Sequence, residues 1–262
     1  MYNFEFVKPT SVADAVAALK DEDASPLSGG QTLIPTMKQR LAQPSKLVSL
    51  AGMPELVGVT INADAVHVKG ATPHSVVALD AAGVFPALAD LAVHIGDPAV
   101  RARGTVGGSL ANNDPSACYP AAVLATGATV TTNARDIAAD DYFQGMFSTA
   151  LDEGEIITAV SFPIPTHAAY VKFVQPASRF ALVGVFVAKY ADGVRVAITG
   201  ASEAGVFRWA EAEAALSANY APEAIEGLTL PGDGMITDLH GSGDYRAHLC
   251  GVITKRAVVK SL

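Results

Sequence analysis

Two pairs of adjacent glycines constrain the fold of this chain more than any other feature of its sequence. Gly29-Gly30 lies in the segment 28–32, and Gly107-Gly108 lies in the segment 105–109. Because glycine has no Cβ, paired glycines let backbone amides approach an anion, and the neighbouring Ser, Thr and Gln side chains supply further hydrogen bonds. A helix predicted after the first pair would add the positive end of its dipole. Together the two pairs could hold a pyrophosphate from two sides.

Taken alone, each pair is also typical of an ordinary turn that binds nothing. Neither pair fits the Gly-x-Gly-x-x-Gly fingerprint of dinucleotide-binding folds, or the phosphate loop that ends in Gly-Lys-Ser or Gly-Lys-Thr. The sequence therefore does not favour a standard Rossmann fold or a nucleoside triphosphatase.

Short strands and helices alternate in the hydrophobic pattern around the first pair. Ser11, with Asp14 three residues later, predicts the start of a helix. A strand, a glycine turn and a helix with Pro35 in its first turn are predicted around Gly29-Gly30. The pattern predicts strands over 4–7, 46–50, 57–61 and 65–69, and helices over 12–19, 33–41, 75–82 and 86–94.

The second pair lies in a long run of glycine and small residues, 96–117. Turn-forming Asp-Pro pairs at 97–98 and 114–115 bracket it. This composition predicts a long loop. A loop of this length inside an otherwise regular region is more often functional than idle.

Two prolines, Pro163 and Pro165, mark the predicted domain boundary. They divide the chain into 1–165, with parts at about 1–55 and 56–165, and a second domain at 166–262. Beyond them, β-rich runs over 181–190 and 194–199 are joined by Ala-Asp-Gly, which is a hairpin signal, and helical patterns follow over 209–217 and 244–259. The second domain is therefore predicted to be a small α+β domain.

The composition excludes several classes of protein. The 262 residues contain 18 Lys and Arg against 26 Asp and Glu, and the net charge of −8 argues against a nucleic-acid partner held by a basic surface. The two cysteines, Cys118 and Cys250, cannot form a four-thiolate iron–sulfur cluster or an all-cysteine zinc site. No two histidines lie three to five residues apart, so no metal site is predicted.

We expect a cytoplasmic protein with no membrane span and no signal peptide. The chain starts without a basic segment followed by an apolar one, and its longest apolar stretch, 180–188, is far shorter than the roughly 20 residues that span a bilayer. Only 17% of the residues are charged, which suggests that surface is hidden in a cofactor site or a subunit interface.

No group of side chains is predicted to act as a catalytic acid, base or nucleophile. The sequence has no Gly-x-Ser-x-Gly elbow, Cys118 has no basic partner nearby in the sequence, and the adjacent Asp140 and Asp141 would point in different directions. Two anion-binding loops without catalytic side chains are typical of a protein whose bound cofactor does the chemistry.

Four motifs, in order along nearly the whole chain, resemble one known family. They are Ser-Gly-Gly-Gln-Thr-Leu-Ile-Pro at 28–35 with Met-Lys-Gln-Arg-Leu at 37–41, His-Ile-Gly-Asp-Pro at 94–98 continuing through 101–109, Tyr-Val-Lys-Phe at 170–173, and Asp-Tyr-Arg-Ala-His-Leu at 244–249. Together they are similar to the FAD-binding medium subunit of molybdenum hydroxylases, of the carbon monoxide dehydrogenase and xanthine dehydrogenase type.

The resemblance implies an α+β fold, with a two-part FAD-binding domain of the vanillyl-alcohol oxidase/PCMH type over 1–165 and a smaller α+β C-terminal domain. It implies that Ile95 lies near the adenine, Ile157 near the flavin ring system and Lys172 close to the isoalloxazine, where an ammonium favours a reduced flavin anion. The competing interpretation of Lys172 is an exposed strand residue. The implied cofactor-binding residues are Ser28, Gly29, Gly30, Gln31, Thr32, Leu33, Ile95, Gly104, Thr105, Gly107, Gly108, Ser109, Asn112, Asp114, Ile157 and Lys172.

By the same resemblance, the chain is a FAD-carrying electron-transfer subunit of a molybdenum-dependent hydroxylase or dehydrogenase, an oxidoreductase whose substrate is oxidised on a partner chain. The implied partners are a large molybdenum-cofactor subunit and a small two-iron two-sulfur subunit, in a dimer of heterotrimers. The cysteine count agrees, because the clusters cannot lie on this chain. Two alternatives stay open: a free-standing FAD oxidoreductase of the same superfamily, and a non-catalytic nucleotide-binding assembly module.

Two residues depart from the family pattern. Relatives often carry an aspartate that binds the ribityl hydroxyls where this chain has Cys118, and a thiol is a poor hydrogen-bond acceptor. Ala102 stands where an asparagine is frequent. Neither change removes a backbone amide, so the phosphate contacts are expected to persist.

We expect Cys118→Asp to bind FAD at least as tightly as the unaltered chain, because a carboxylate accepts hydrogen bonds from hydroxyls better than a thiol does. Flavin occupancy after purification, read from absorbance, measures this. A clear fall in occupancy would contradict the alignment that places Cys118 beside the ribityl chain.

Overall fold

The structure, a computed structural model, describes residues 1–262 and contains three main sheets. The first sheet is parallel and is formed by β1 (Glu5–Val7), β2 (Ala24–Leu27) and β3 (Lys46–Ser49), with β3 in the centre. Helix α1 (Val12–Ala18) follows β1, and α2 (Leu33–Lys38) follows β2. The predicted start of α1 is confirmed, since the Ser11 hydroxyl accepts a hydrogen bond of 3.1 Å from the Asp14 N–H.

The second sheet has five antiparallel strands. They are β4 (Val59–Ile61), β5 (Ala65–Lys69), β6 (Thr129–Thr132), β7 (Asp136–Ala138) and β10 (Ile157–Pro163), in the order β4-β5-β10-β6-β7. Five helices lie between β5 and β6: α3 (His74–Asp80), α4 (Pro86–Val93), α5 (Pro98–Arg103), α6 (Val106–Asn112) and α7 (Tyr119–Thr126). Helix α8 (Ala139–Tyr142) and a small hairpin of β8 (Phe143–Gly145) and β9 (Ser148–Thr149) precede β10.

The prediction of one long loop over 96–117 is wrong, because this segment contains α5 and α6. Asp97 caps α5 by accepting a hydrogen bond of 2.9 Å from the Val100 N–H, and Pro98 occupies the first helical position. Thr105 caps α6 by accepting a bond of 3.1 Å from the Gly108 N–H. The Asp-Pro and Thr signals therefore start helices here, although the glycine content argued for a loop.

Helix α7 was not predicted because it has no polar face. All eight of its residues are buried, so its sequence shows no alternation of apolar and polar positions. The helix ends at Gly127, whose φ of +62° lies in the left-handed region that glycine adopts without strain.

The third sheet is antiparallel and follows the order of the chain. It contains β11 (His167–Val174), β12 (Ala181–Tyr190), β13 (Gly193–Ser202) and β14 (Gly205–Arg208), and it is followed by α9 (Ala210–Ala218) and α10 (Gly243–Ser261). The hairpin predicted between β12 and β13 is confirmed, with Tyr190 opposite Gly193. Short 3-10 helices lie at Pro54–Leu56 and Pro222–Ile225. The α+β class is therefore confirmed, with two more strands in this sheet than the hydrophobic pattern predicted.

The third sheet is covered on both faces. On one face Val185, Val187 and Ile198 pack with Trp209 and with the apolar residues of α10. On the other face its side chains join the largest hydrophobic cluster, which also contains α4, α7 and the second sheet. None of the helices combines the length and apolar character needed to cross a membrane.

A buried arginine of α10 stabilises the third sheet through hydrogen bonds to its backbone carbonyls. The Arg246 guanidinium, 1% exposed, donates hydrogen bonds of 2.9 Å and 2.7 Å to the carbonyl oxygens of Leu182 and Gly200. It also forms a two-pronged ion pair of 2.8 Å with the Asp238 carboxylate. The side chain thus satisfies two buried carbonyls and one carboxylate at the same time.

We expect Arg246→Ala to lower the free energy of unfolding by about 3 kcal/mol, because it leaves the two buried carbonyls without this donor and removes the ion pair with Asp238. Urea unfolding followed by circular dichroism measures this. Arg256→Ala, on an exposed position of the same helix, serves as the matched control and should change the free energy by less than about 0.5 kcal/mol. Equal stabilities of the two variants would contradict the role given to Arg246.

Candidate functional site

One cavity of about 1100 Å³ lies where elements of the three sheets meet. All sixteen residues predicted as binding residues line it, although they come from segments as far apart as 28–33 and 172. Its volume is just above the range of roughly 300–1,000 Å³ that is usual for sites of small molecules and cofactors. The structure therefore brings together every residue that the sequence singled out for binding.

The first glycine pair lies in the turn between β2 and α2. The backbone N–H groups of residues 29–32 have no hydrogen-bond partner within the chain, and Thr32 gives α2 no side-chain cap. Gly30 has a φ of +70°, which only glycine adopts without strain. Four consecutive donors are therefore free at the edge of the cavity, which is the arrangement that binds phosphate or carboxylate oxygens.

The second glycine pair serves a different purpose from the one predicted. The Gly107 N–H donates to the carbonyl of Gly70 at 2.8 Å, and the Gly108 N–H donates to the Thr105 hydroxyl, so neither amide is free to hold an anion. A Cβ on Gly107 would lie 2.6 Å from that same carbonyl oxygen. The pair thus allows close packing of α6 against the second sheet. The prediction that both glycine pairs offer free amides to a pyrophosphate is therefore wrong for Gly107 and Gly108.

The two loops contact each other directly. The hydroxyls of Ser28 and Thr105 lie 2.7 Å apart and share a hydrogen bond. A Cβ on Gly29 would collide with the backbone of Arg103 and would lie 2.7 Å from the Gly104 Cα. Only a glycine at position 29 therefore lets the first loop rest on the second.

Lys172 of β11 also lines the cavity. Its ammonium donates a hydrogen bond of 2.8 Å to the carbonyl of His94 and lies 3.5 Å from the Cys118 sulfur. The side chain is partly buried and lines the cavity, unlike an ordinary exposed strand residue. Cys118 therefore has the basic neighbour that the sequence alone did not reveal.

The other predicted residues lie at separate points of the cavity wall. Ile95 follows His94, whose carbonyl accepts the hydrogen bond from Lys172. The Ile157 carbonyl lies against Gly70, the residue that faces Gly107. The roles that the resemblance implies for Ile95, Ile157 and Lys172 stay predictions.

Two polar residues of the predicted set lie at the end of α6. Asn112 is the last residue of that helix, and Asp114 follows it after a left-handed Asn113. One Asp114 carboxylate oxygen accepts a hydrogen bond of 2.8 Å from the Ser116 N–H, which fixes the turn. The Asp114 carboxylate is thus held in place at the cavity wall.

His74, at the start of α3, also lines the cavity and was missed by the sequence analysis. Its backbone N–H donates to the Gly104 carbonyl at 2.9 Å, while its ring nitrogen Nδ1 is buried without a partner. Burial, together with the nearby positive charge of Arg101, lowers the pKa of the His74 imidazole to about 4. The ring is therefore neutral at pH 7, and a lone histidine gives no sequence signal of such a position.

The tip of the β11–β12 hairpin was also missed, although five of its residues, 176–180, line the cavity. Arg179 has a φ of +64°, which is unusual for a residue with a side chain, and its guanidinium makes no hydrogen bond or ion pair. Phe180 is half exposed. The hairpin tip therefore borders the cavity with a guanidinium that has no partner within the chain and with a half-exposed aromatic ring.

Comparisons with known proteins agree with this geometry. Residues 2–165 match the model of the family described as the FAD binding domain in molybdopterin dehydrogenase. The carbon monoxide dehydrogenase medium chain of Afipia carboxidovorans is 35% identical, with 99% of this chain and 96% of that protein covered. The nicotine 6-hydroxylase medium subunit of Paenarthrobacter nicotinovorans is 34% identical, with 98% and 96% covered.

Two solved structures have the same fold. A chain of the reconstituted CO dehydrogenase from Oligotropha carboxidovorans superposes with a TM-score of 0.88 at 31% identity, with 99% of this chain and 98% of that chain covered. A chain of quinoline 2-oxidoreductase from Pseudomonas putida 86 has a TM-score of 0.88 at 30% identity, with 99% and 97% covered. The structural similarity therefore extends over all three sheets.

We expect Gly107→Ala to lower the free energy of unfolding by about 1–3 kcal/mol, because its Cβ would lie 2.6 Å from a backbone oxygen that cannot move aside easily. Gly251→Ala in α10 is the control, since its Cβ would meet no atom closer than 3.9 Å and alanine favours a helix. Thermal unfolding of both variants measures the difference. Equal midpoints would show that the contact between Gly107 and Gly70 is not tight.

The neutral state of His74 also predicts how stability depends on pH. Below about pH 6.5 the unfolded chain binds a proton at this residue, whereas the folded chain does not until about pH 4, so acidification favours the unfolded state. The contribution is about 3 kcal/mol across that interval. We expect His74→Gln to reduce the loss of stability between pH 7 and 4, while His248→Gln, on an exposed position of α10, should not. Identical pH profiles for the two variants would contradict this.

Proposed function

The chain belongs to the family of FAD-binding domains of molybdopterin dehydrogenases, and we propose that its cavity holds FAD extended between the first glycine loop and Lys172. Within this family it is the flavin-carrying component of an oxidoreductase, similar over its full length to proteins named as medium chains or medium subunits. The proposed function is to pass electrons from a partner chain to an external acceptor.

One observation carries the proposal: sixteen residues from distant parts of the chain line a single cavity, and they include four free backbone donors and an ammonium. Four unpartnered N–H groups at 29–32 match the oxygens of a pyrophosphate. The hydroxyls of Ser28, Thr105 and Ser109 stand beside them. The residues present therefore fit the dinucleotide.

For three of the lining residues, we propose the roles that the resemblance implies. Ile95 lies near the adenine, Ile157 near the flavin ring system and Lys172 close to the isoalloxazine. All three residues line the cavity, which supports this proposal.

Bound flavin would supply the redox chemistry of the site. The chain's own residues bind and tune it: the free amides hold negative charge, and the Lys172 ammonium favours an electron-rich ring near it. Lys172 and the Cys118 thiol lie 3.5 Å apart in the cavity wall.

We further propose a large molybdenum-cofactor subunit and a small two-iron two-sulfur subunit as partners, in a dimer of heterotrimers located in the cytoplasm. Both cysteines are buried singly, and no group of His, Cys, Asp and Glu forms a metal site, which leaves the clusters to other chains. Leu41, Leu79 and Leu239 are at least three-quarters exposed, and such side chains are suited to subunit interfaces.

For the domains, we propose a FAD-binding domain over 1–165, with parts at about 1–55 and 56–165, and a C-terminal domain over 166–262. The positions of the sheets support this division. The parallel sheet ends at Ser49, the five-stranded sheet extends from Val59 to Pro163, and the third sheet begins at His167.

Absorption of the purified full chain tests the proposed cofactor. We expect flavin bands near roughly 370 and 450 nm and about one FAD per chain. Gly30→Ala should weaken FAD binding by roughly tenfold or more, because the strained turn displaces the free amides. Gly52→Ala is the matched control, since Gly52 has a similar φ of +81° but lies outside the cavity. A chain without flavin bands, or equal affinities of the two variants, would contradict the proposal and favour a nucleotide-binding assembly module.

Size-exclusion chromatography of the protein from its native source tests the proposed partners. We expect co-elution with a molybdenum-containing chain and an iron–sulfur chain. A stable monomer that turns over a substrate on its own would instead identify a free-standing FAD oxidoreductase.

A further inference from the structure

The tip of the β11–β12 hairpin forms part of the rim of the cavity. Residues 176–180 line the cavity, and all five of them are exposed to solvent. Lys172, on strand β11 of the same hairpin, lines the cavity as well but is partly buried. The cavity is therefore open to solvent at the hairpin tip, and a molecule that enters there passes these five residues.

Arg179, at this tip, is the one charged side chain of the cavity wall that has no polar partner within the chain. Its guanidinium makes no hydrogen bond and no ion pair. The other four charged side chains of the wall each have a hydrogen-bond partner, and they are Asp97, Asp114, Glu155 and Lys172. The only charge that the wall leaves free for a ligand is thus positive and lies at the rim.

Hydrogen bonds fix the backbone that carries Arg179. The N–H groups of Ser178 and Arg179 donate to the Gln175 carbonyl at 3.3 Å and 3.0 Å, and the Gln175 N–H donates to the Phe180 carbonyl at 2.9 Å. The Ser178 hydroxyl donates to the buried Gln175 side chain at 2.9 Å. These bonds hold Arg179 in the left-handed region, at a φ of +64°, which is unfavourable for a residue with a Cβ. The turn therefore keeps the guanidinium beside the cavity.

A free guanidinium at this rim favours a small anion from solution. Arginine is always charged, and it attracts an opposite charge over roughly the Debye length, about 10 Å at 0.1 M salt. In the proposed mode of FAD binding, the free amides of residues 29–32 hold the pyrophosphate, so Arg179 stays available to a second molecule. The net charge of −8 on the chain repels an acidic carrier protein, whereas a single local cation is enough to attract a small anion.

We propose that Arg179 attracts a small, negatively charged electron acceptor to the reduced flavin. The inference rests on the proposed binding of FAD, with the isoalloxazine close to Lys172, and it adds a residue that determines acceptor specificity. Because Arg179 and Lys172 belong to the same hairpin and line the same cavity, an acceptor drawn to the rim arrives near the ring. The acceptor gains the two electrons that the reduced flavin gives up, and the protons of the flavin pass to water or to the acceptor.

The first test follows reoxidation of the full chain with bound FAD, reduced photochemically, by stopped-flow absorbance. The acceptors are ferricyanide, a trianion, and 1,4-benzoquinone, which is neutral. At low salt, we expect Arg179→Glu to slow reoxidation by ferricyanide about fivefold and Arg179→Lys to retain the rate within about twofold. The rate with benzoquinone should not change. Arg256→Glu, on an exposed position of α10 outside the cavity, makes the same change in net charge and should leave both rates unaltered.

Equal ferricyanide rates for Arg179→Glu and Arg256→Glu would overturn the proposal, because the effect would then belong to the net charge. An equal loss of rate with benzoquinone would also overturn it, since it would indicate a disturbed site. High salt should remove most of the difference between Arg179→Glu and the unaltered chain, because salt screens exposed charges.

The second test measures binding without turnover. Hexacyanocobaltate(III) has the charge and shape of ferricyanide but does not accept electrons from the flavin, and it is titrated into the oxidised chain by calorimetry. We expect Arg179→Glu to weaken its binding by about fivefold and Arg256→Glu to leave it unchanged. Equal affinities with normal flavin bands overturn the role of Arg179 alone. A chain that carries no FAD contradicts the proposed FAD site, and this inference with it.

Discussion

Close contact between backbones, without intervening side chains, determines where the site forms. Gly29 rests on Gly104, and Gly107 rests on Gly70, so three segments from two sheets meet at distances that a single Cβ would prevent. The hydrogen bond between Ser28 and Thr105 fixes this arrangement. The amides of Gly107 and Gly108 have partners within the chain, whereas the four amides of residues 29–32 are free. The site is therefore asymmetric, with one loop that binds and one loop that supports it.

The third sheet completes the cavity that the first two begin. Lys172 reaches from β11 to the carbonyl of His94, and the hairpin tip with Arg179 and Phe180 borders the same space. Although the whole chain has a net charge of −8, the cavity wall contains free backbone amides and an ammonium. A local field of this kind favours a ligand that is negatively charged and becomes more electron-rich on reduction.

The residues predicted to bind all line one cavity, whereas several elements that build the cavity were not predictable from the sequence. The motifs around Gly29 and Lys172 identified residues that all line one cavity, because such motifs record local chemistry. The segment 96–117 was misjudged as a loop, since glycine content outweighed the capping signals of Asp97 and Thr105. Helix α7 was not predicted because a helix that is buried on every side shows no periodic alternation of apolar and polar residues. Neither the neighbours of Cys118 nor the burial of His74 could be predicted, because both depend on contacts between residues more than 25 positions apart.

The complete burial of α7 limits which C-terminal parts can replace the one in this chain. Its side chains pack in one cluster with Phe186, Ala188 and Ala197 of the third sheet, across the proposed boundary near Pro163. A chain that ends at that boundary would expose this apolar surface to water, at a cost of about 25 cal/mol for each Å². Exchange of C-terminal parts between relatives should therefore succeed only when both contacting surfaces are exchanged together.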